Sequence, residues 1–207
     1  MLSNAFHSAR IDAVDVSRAM TIKARERMAG NRMIKWIITD ARHLPKNMKY
    51  QLIISNCTLH WITPFQMIIK KLGAMLAPDS TLAFAVMTRG TFTELNASRN
   101  RIAPHKPSRV IMPTKNEIKK AVTAANLGIL RQETEIIRQE FNSVEKMFKQ
   151  LHDQGLTGGN IPCGNAFLTR SELSRLTADY EKKYRTGHGV YATFRVFYCV
   201  IQKKCGE

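Results

Sequence analysis

Side chains that could do chemistry follow directly after a short apolar run, Leu52-Ile53-Ile54. The run is typical of a strand buried on both faces of a parallel sheet, and Asn56, His60 and Trp61 come next. In open α/β sheets, ligands bind beyond the carboxyl ends of the strands. We therefore expect this segment to form the floor of a binding site. Taken alone, the pattern also fits a strand that simply turns at Ser55-Asn56.

Two carboxylates also follow predicted strands. Asp15 ends the short strand that starts at Ile11, and Asp40 ends the strand 33–39. A carboxylate at the end of a strand, directly before a helix, has the two acceptor oxygens that a ribose diol needs. Asp15 could instead stabilise the N-terminus of the next helix electrostatically.

The elements that would position these residues alternate between strand and helix. Ser17 is a predicted N-cap for a helix that ends before Gly30, and Pro45 lies in a loop. The order strand–helix–strand–strand–helix–strand predicts a parallel α/β sheet. The predicted elements are strands at 11–15, 33–39, 51–55 and 81–87, and helices at 18–28 and 64–75.

The second half of the chain is predicted from capping signals and alternation. Thr114 and Thr169 each precede a glutamate by three residues and open helices as capping boxes, while Ser143 caps a third helix. The segments 129–141 and 190–202 are predicted strands, and 155–164 is a glycine-containing loop.

The composition is that of an ordinary globular protein, with 207 residues, 44% hydrophobic and 23% charged. No apolar run reaches the roughly 20 residues that span a bilayer, and the first residues lack a signal-peptide core. The four cysteines are scattered without the close spacing of a structural zinc site, so no metal is predicted and reduced thiols in the cytoplasm are expected.

The net charge of +16, with a pI of about 10.1, predicts an acidic partner. Nucleic acid, an anionic membrane and an acidic protein all fit, and so does a general basic bias. Seven basic residues and one acid lie between Ser98 and Lys120. We interpret residues 88–113 as a partly helical insert with a basic face, although a solvated loop explains any single one of its cations.

Several stretches together resemble the class I S-adenosylmethionine-dependent methyltransferases, and more specifically the malonyl-acyl-carrier-protein O-methyltransferases of biotin synthesis. The general match rests on IDAVDVSRAM, WIITDARHLP, YQLIISNCTLHWI and TLAFAVM. The narrower one rests on SNCTLHWI, TFTELNAS, FLTRSELSRLTADYE and YATFRVFYCVIQKK. The resemblance implies a single Rossmann-like domain over residues 1–207, with a mostly parallel sheet, helices on both faces and the basic insert within it.

The resemblance also implies roles for residues at matching positions. Asp15 would hold the ribose hydroxyls of S-adenosylmethionine, Met20 would flank the adenine, and Asp40 and the Ala41 backbone would lie at the adenine amino group. In the second segment, Asn56 would lie beside the methionine part of the cofactor, and His60 and Trp61 would close the pocket near the reacting methyl.

The implied reaction is transfer of the sulfonium methyl to the free carboxylate of malonyl-acyl carrier protein. A carboxylate is already a nucleophile at neutral pH, so the protein mainly orients the reactants and excludes water. An arginine suits the task of holding the carboxylate, and Arg99, Arg101 and Arg109 are the candidates. Because carrier proteins are acidic, the basic insert is also a predicted docking face. Membrane binding is not expected.

The chain departs from the family pattern at its start. It begins at what resembles the second strand, so the family's first strand and glycine-rich turn are absent, and Asp79-Ser80 replaces the Gly-Gly expected after Pro78. Loss of a central strand leaves two edges with unpaired backbone groups. We therefore expect an N-terminally incomplete chain that binds S-adenosylmethionine weakly or not at all.

Two other functions remain open at this point. An RNA-directed methyltransferase fits the charge, but the sequence lacks the Asn/Asp-Pro-Pro-aromatic motif after the strand 51–55 and lacks aromatic residues interleaved with the cations. A catalytically inactive methyltransferase-like binder of an acidic protein fits as well.

Overall fold

The computed structural model describes residues 6, 8–28, 30–45, 47–108, 111–153 and 167–203. The chain forms two compact units, Met1–Lys49 and Tyr50–Glu207, which are described separately here. The sequence prediction of one domain concerns both units together and stays a prediction.

The first unit is a parallel strand pair with one helix between the strands. Ser17 accepts a hydrogen bond from the Met20 N–H through its side chain, which starts the helix as predicted. Gly30 has φ +87°, a left-handed conformation that glycine adopts without steric cost, and it follows the end of the helix. The elements are β1 Ile11–Asp15, α1 Arg18–Arg27, β2 Ile34–Ile38 and a short 3-10 helix Ala41–His43.

The second unit contains a five-stranded mixed sheet. Four strands lie in the order β3-β4-β8-β6, and the two-residue β7 pairs with the end of β8. β3 and β4 are parallel, whereas β8 runs antiparallel to β4, β6 and β7. The strands of this sheet are β3 Tyr50–Asn56, β4 Leu76–Met87, β6 Gly128–Phe141, β7 Arg185–Thr186 and β8 Gly189–Gln202, and a further short strand, β5 Arg89–Phe92, lies outside it and packs beside β8.

The helices of the second unit start where the capping signals predict. Both capping boxes form, at Thr114 with Glu117 and at Thr169 with Glu172, and the Ser143 hydroxyl accepts from the Lys146 N–H. The helices are α2 Phe65–Met75, α3 Thr93–Ile102, α4 Lys115–Ala124, α5 Val144–Asp153 and α6 Arg170–Tyr184, with a 3-10 turn at Leu59–Trp61.

Both faces of this sheet are covered by helices, as the α/β prediction requires. On one face Met87 and Val196, which are paired across β4 and β8, pack in one cluster with Met147 of α5 and Tyr180 of α6. On the other face Phe84 contacts the ring of Phe65 at the start of α2, with the ring centroids 6.3 Å apart. α2 packs in turn against α4. Alternation along β4 and β8 therefore divides the core into two layers.

The basic insert is more regular than the sequence suggests. Residues 88–113 include β5 and α3, and α3 packs against α6 and β8. Glycine and proline usually indicate loops, so Gly90, Pro104, Pro107 and Pro113 hide these elements in the sequence. In the structure Gly90 lies within β5 with φ +101°, and the three prolines follow α3. The expected helical character is confirmed, and the strand is an addition to the prediction.

Within the described residues, every helix is too short or too polar to cross a lipid bilayer.

Candidate functional site

The chain makes a sharp turn where β3 ends. Cys57 adopts φ +49°, a left-handed conformation that is uncommon for a residue other than glycine, and its N–H donates to the Ala85 carbonyl at 2.8 Å. The Thr58 hydroxyl donates to the carbonyl of Asn56 at 3.0 Å. Asn56 itself is exposed at the end of the strand, the position in an α/β sheet where ligand-binding residues lie.

The turn directs His60 into the protein. Its side chain is only 4% exposed, and its ring lies 4.9 Å from the ring of Trp61 at an angle of 41°. The Met87 backbone N–H donates to His60 Nδ1 at 3.4 Å, which connects the turn to the end of β4. Asn56, His60 and Trp61, which the sequence suggested as site residues, thus lie in one local structure, with His60 buried and Asn56 exposed.

Burial determines the protonation of His60. Because desolvation disfavours the imidazolium, the pKa of His60 falls from 6.5 to about 4, and the ring is neutral at physiological pH. Nδ1 accepts the Met87 N–H, so the single ring proton of the neutral form is on Nε2. Nε2 is buried and has no hydrogen-bond partner among the described residues.

His60 lines a cavity of about 310 Å³. The walls come from the segment after the 3-10 turn, the start of α2, the residues before α4 and the exposed side of α4. About half of the lining is apolar, and His60, Thr63, Gln66, Glu117 and Lys120 supply the polar groups.

In the first unit, Asp15 ends β1 with an exposed carboxylate. Its Oδ1 accepts the Ser17 N–H at 2.7 Å, which fixes the orientation of the group. Met20 lies on the first turn of α1 and is 52% exposed, and Val16, which the sequence analysis did not select, is 66% exposed. An oriented carboxylate beside two exposed apolar side chains suits a ligand in which a hydroxyl-bearing ring is attached to a flat apolar ring. The carboxylate would accept from the hydroxyls, and the apolar side chains would contact the flat ring.

Asp40 follows β2 and is engaged within the chain. Arg42 binds its carboxylate with two guanidinium nitrogens, the shortest contact being 2.7 Å, and the Arg42 N–H donates to Oδ1 at 2.8 Å. The bond from Arg42 holds the pKa of Asp40 below its usual value. Ala41 begins the 3-10 helix at this turn. A ligand at this position would share the carboxylate with Arg42, which the sequence did not reveal.

The three arginine candidates have different surroundings. Arg101 forms a two-pronged ion pair with Asp179 of α6 and also donates to the Ser98 hydroxyl at 3.1 Å. Arg99 donates through Nε to the Lys106 carbonyl at 2.7 Å. Arg109 lies outside the described residues. Arg101 is thus committed to holding α3 against α6, and Arg99 is the described candidate that lines a cavity.

Lys106 of the insert is also paired with α6. Its Nζ lies 2.7 Å from Glu172, and His105 Nε2 lies 3.4 Å from the same carboxylate. The bond from Lys106, together with the capping-box bond from Thr169, lowers the pKa of Glu172 to about 2. Two cations of the insert, Arg101 and Lys106, are therefore paired with carboxylates of α6, which reduces the net charge of the basic face expected from the sequence.

A second, larger cavity of about 730 Å³ lies between β5, α3, α5 and α6. Its lining is mainly apolar, with Phe92, Leu95 and Phe148 among its walls, while Arg89 and Arg99 supply positive charge. Sequence reasoning did not identify this cavity, since its walls combine the consecutive elements β5 and α3 with α5 and α6, which lie far away along the chain.

Comparison with known proteins agrees with this architecture. Residues 1–79 match the family model described as "Methyltransferase domain". The chain is 25% identical to malonyl-[acyl-carrier protein] O-methyltransferase 2 of Ilyobacter polytropus, covering 97% of this chain and 76% of the relative. It is 26% identical to the malonyl-[acyl-carrier protein] O-methyltransferase of Bacillus anthracis, covering 98% and 76%. The alignment with the Alcanivorax borkumensis enzyme of that name covers 92% and 64%, also at 26% identity.

Solved structures give the fold independently. A putative methyltransferase from Bacillus halodurans superimposes with a TM-score of 0.63 at 12% identity, covering 94% of this chain and 83% of that one. The YcgJ protein of Bacillus subtilis gives 0.61 at 11% identity, covering 94% and 82%. The chain therefore has the class I methyltransferase fold and resembles the malonyl-acyl-carrier-protein O-methyltransferases in sequence along nearly its whole length.

Proposed function

We propose that this protein transfers a methyl group from S-adenosylmethionine to the free carboxylate of a malonyl group on acyl carrier protein, an early step of biotin synthesis. The observation that carries the proposal is the extent of the similarity. Relatives named for this reaction align with 97% and 98% of the chain, and so with the second unit as well as with the region of the methyltransferase family model.

The residues of the first unit fit the nucleoside part of the cofactor. Asp15 presents an exposed carboxylate whose orientation is fixed by Ser17, and a carboxylate accepts two hydroxyl protons of a ribose. Val16 and Met20 offer apolar surface to a purine ring. Asp40 and the Ala41 backbone would lie at the adenine amino group, although Arg42 already binds that carboxylate. Asn56, in the second unit, is the candidate for the methionine part.

The bound cofactor supplies an electrophilic sulfonium methyl. A new bond forms between a malonyl carboxylate oxygen and the methyl carbon, and the carbon–sulfur bond breaks, leaving S-adenosylhomocysteine and a methyl ester. The carboxylate is already ionised at neutral pH, so no proton has to be removed. The neutral, buried ring of His60 is accordingly suited to orientation rather than to general-base catalysis.

Positive charge near the insert supports an acidic protein as the carrier of the substrate. Arg89 and Lys115 are both exposed, and the Arg89 N–H donates to the Pro113 carbonyl at 3.1 Å just before α4 begins. Rim charges of this kind mainly increase the rate of association with an acidic partner. Arg101 and Lys106 contribute less, because their charges are balanced by Asp179 and Glu172.

The test is methyl transfer by the purified chain to malonyl-acyl carrier protein, followed by mass spectrometry of the carrier. We expect a mass gain of one methyl, and fragmentation should locate it on the malonyl group rather than on the polypeptide. Acetyl-acyl carrier protein, which has no free carboxylate, is the control and should gain nothing. Methylation of both carriers, or of neither at saturating S-adenosylmethionine, would contradict the proposal for this chain.

A substitution at the cofactor end should separate cofactor binding from carrier binding. Asp15→Asn keeps the shape and the hydrogen bond from Ser17 but removes the charge. We expect the KM for S-adenosylmethionine to rise about tenfold with little change in the KM for the carrier. Asp12→Asn on the same strand is the matched control.

A further inference from the structure

A buried hydrogen-bond donor without a partner belongs to a residue that lines the smaller cavity. His60 is 4% exposed, and its Nε2 has no hydrogen-bond partner within the described part of the chain. Leaving such a group unpaired costs about 1–3 kcal/mol, so an unpartnered buried nitrogen at a cavity wall calls for an explanation. The ring also lines the 310 Å³ cavity beside α4, which gives a ligand a place next to it.

The chemistry of that ligand follows from the tautomer. Because Nδ1 accepts the Met87 N–H, Nε2 carries the proton and can only donate. The ligand must therefore present an acceptor oxygen, as a carboxylate or a carbonyl does. A ligand that offers only N–H groups would leave Nε2 unsatisfied.

The charges around the cavity favour an anion. Lys120 and Glu117 both line it. Glu117, however, accepts hydrogen bonds from the Thr114 N–H at 2.6 Å and the Thr114 hydroxyl at 2.8 Å, so its carboxylate serves the helix cap. Arg89 and Lys120 act on Glu117 as nearby positive charges and, after the bonds from Thr114, contribute to lowering its pKa. Two cations thus surround a single, engaged carboxylate.

The remaining walls limit the size and polarity of the ligand. Phe65, Met112, Pro113 and Ala121 are apolar, and the volume of about 310 Å³ lies at the lower end for small-molecule sites. A short carbon chain ending in a carboxylate matches such a lining.

We propose that this cavity binds a small carboxylate, one oxygen of which accepts a hydrogen bond from His60 Nε2–H while its charge faces Lys120. Under the proposed function that carboxylate is the free end of the malonyl group, and the identification of the ligand as malonyl rests on that function. The proposal of a carboxylate site in this cavity does not depend on whether the protein transfers a methyl group.

The experiment is a titration of the ¹⁵N-histidine-labelled protein with malonate, followed through the Nε2 resonance of His60 by NMR. We expect the resonance to move with saturation, and a pH-independent dissociation constant between pH 6.5 and 8 because the donor is neutral there. His60→Phe should weaken malonate binding about tenfold or more, and Lys120→Ala severalfold. Lys119→Ala, the neighbouring lysine that does not line the cavity, should leave the affinity within twofold.

Several results would overturn the inference. A His60 resonance that does not move at saturating malonate would remove the donor role. Equal losses in Lys119→Ala and Lys120→Ala would reduce the effect to general charge. An unchanged affinity for malonate in His60→Phe, with native-like circular dichroism, would also exclude the donor role of His60.

Failure of the proposed function gives a different pattern. Malonate that shifts His60 in a chain without methyl transfer would leave the inference intact and remove the enzyme activity. Methyl transfer with an unchanged KM for malonyl-acyl carrier protein in His60→Phe would keep the function and overturn this inference.

Discussion

Replacing the buried histidine should alter the pH dependence of folding in a defined window. In the folded protein, burial lowers the pKa of His60 from 6.5 to about 4. Above pH 6.5 the ring is neutral in both the folded and the unfolded chain, so His60 contributes no pH dependence to the free energy of unfolding there. As the pH falls from 6.5 towards 4, the unfolded chain binds a proton that the folded chain does not, and stability is lost.

The size of the effect follows from the two pKa values. Each unit of pKa difference corresponds to about 1.36 kcal/mol, so the interval between 6.5 and about 4 amounts to about 3 kcal/mol. That is a large fraction of the 5–15 kcal/mol that typically stabilises a domain, on the order of a fifth or more. We expect His60→Phe and His60→Gln to remove this dependence, since neither replacement titrates.

The pH dependence of the free energy of unfolding can be measured by urea denaturation at half-unit steps from pH 8 to pH 4.5. The parent chain and both variants are compared. Loss of the Met87 bond offsets the curves by a constant amount, so only their divergence below pH 6.5 matters. The other histidines and the carboxylates are common to all three proteins and cancel. Free energies of unfolding that stay parallel across this range would refute the argument that burial lowers the pKa of His60.

Three further outcomes are expected. Glu172→Gln should remove stability that the parent chain has above pH 4.5 and loses as the pH falls towards 2, because its pKa is lowered to about 2; acid-induced unfolding followed by circular dichroism measures this. Gly189→Ala should prevent stable folding, since a Cβ there would collide with the Phe141 carbonyl and lie 2.8 Å from backbone atoms of Asn142. Gly187→Ala, with open space around the added Cβ, is the control and should be tolerated; thermal unfolding of the two variants measures the difference. Calorimetric titration with S-adenosylhomocysteine should give binding that Asp15→Asn weakens about tenfold, because Asp15 is the proposed partner of the ribose hydroxyls; equal affinity of the parent chain and the variant would contradict that expectation.

Local signals in the sequence were sufficient for most of the helices and strands. Capping boxes at Thr114 and Thr169 act within one turn, so the residue types alone determine where α4 and α6 begin. The long alternating segment 190–202 likewise predicts a strand with two distinct faces, and β8 has that form. These features depend on neighbours in sequence, which a reader of the sequence can see.

Long-range pairing was not accessible in the same way. Arg101 meets Asp179 and Lys106 meets Glu172 across separations of 78 and 66 residues, and only the packing of α3 on α6 brings them together. The antiparallel entry of β8 between β4 and β6 is also a matter of topology rather than of local pattern. Predicted roles for individual cations therefore needed the fold, and the structure assigns Arg101 and Lys106 to the insert's attachment.

His60 is the position at which sequence and structure together say more than either alone. The sequence marks it as a polar residue after a predicted strand, and the left-handed turn at Cys57 accounts for its burial. As a structural element it is a poor choice: it leaves Nε2 without a partner in the described protein and destabilises the fold below pH 6.5. A leucine or phenylalanine would fill similar space without either cost, and would lose only the long 3.4 Å bond from the Met87 N–H. An imidazole at this wall is therefore explained by a ligand that uses its N–H, and local departures from the best-packed choice are expected where a protein binds something.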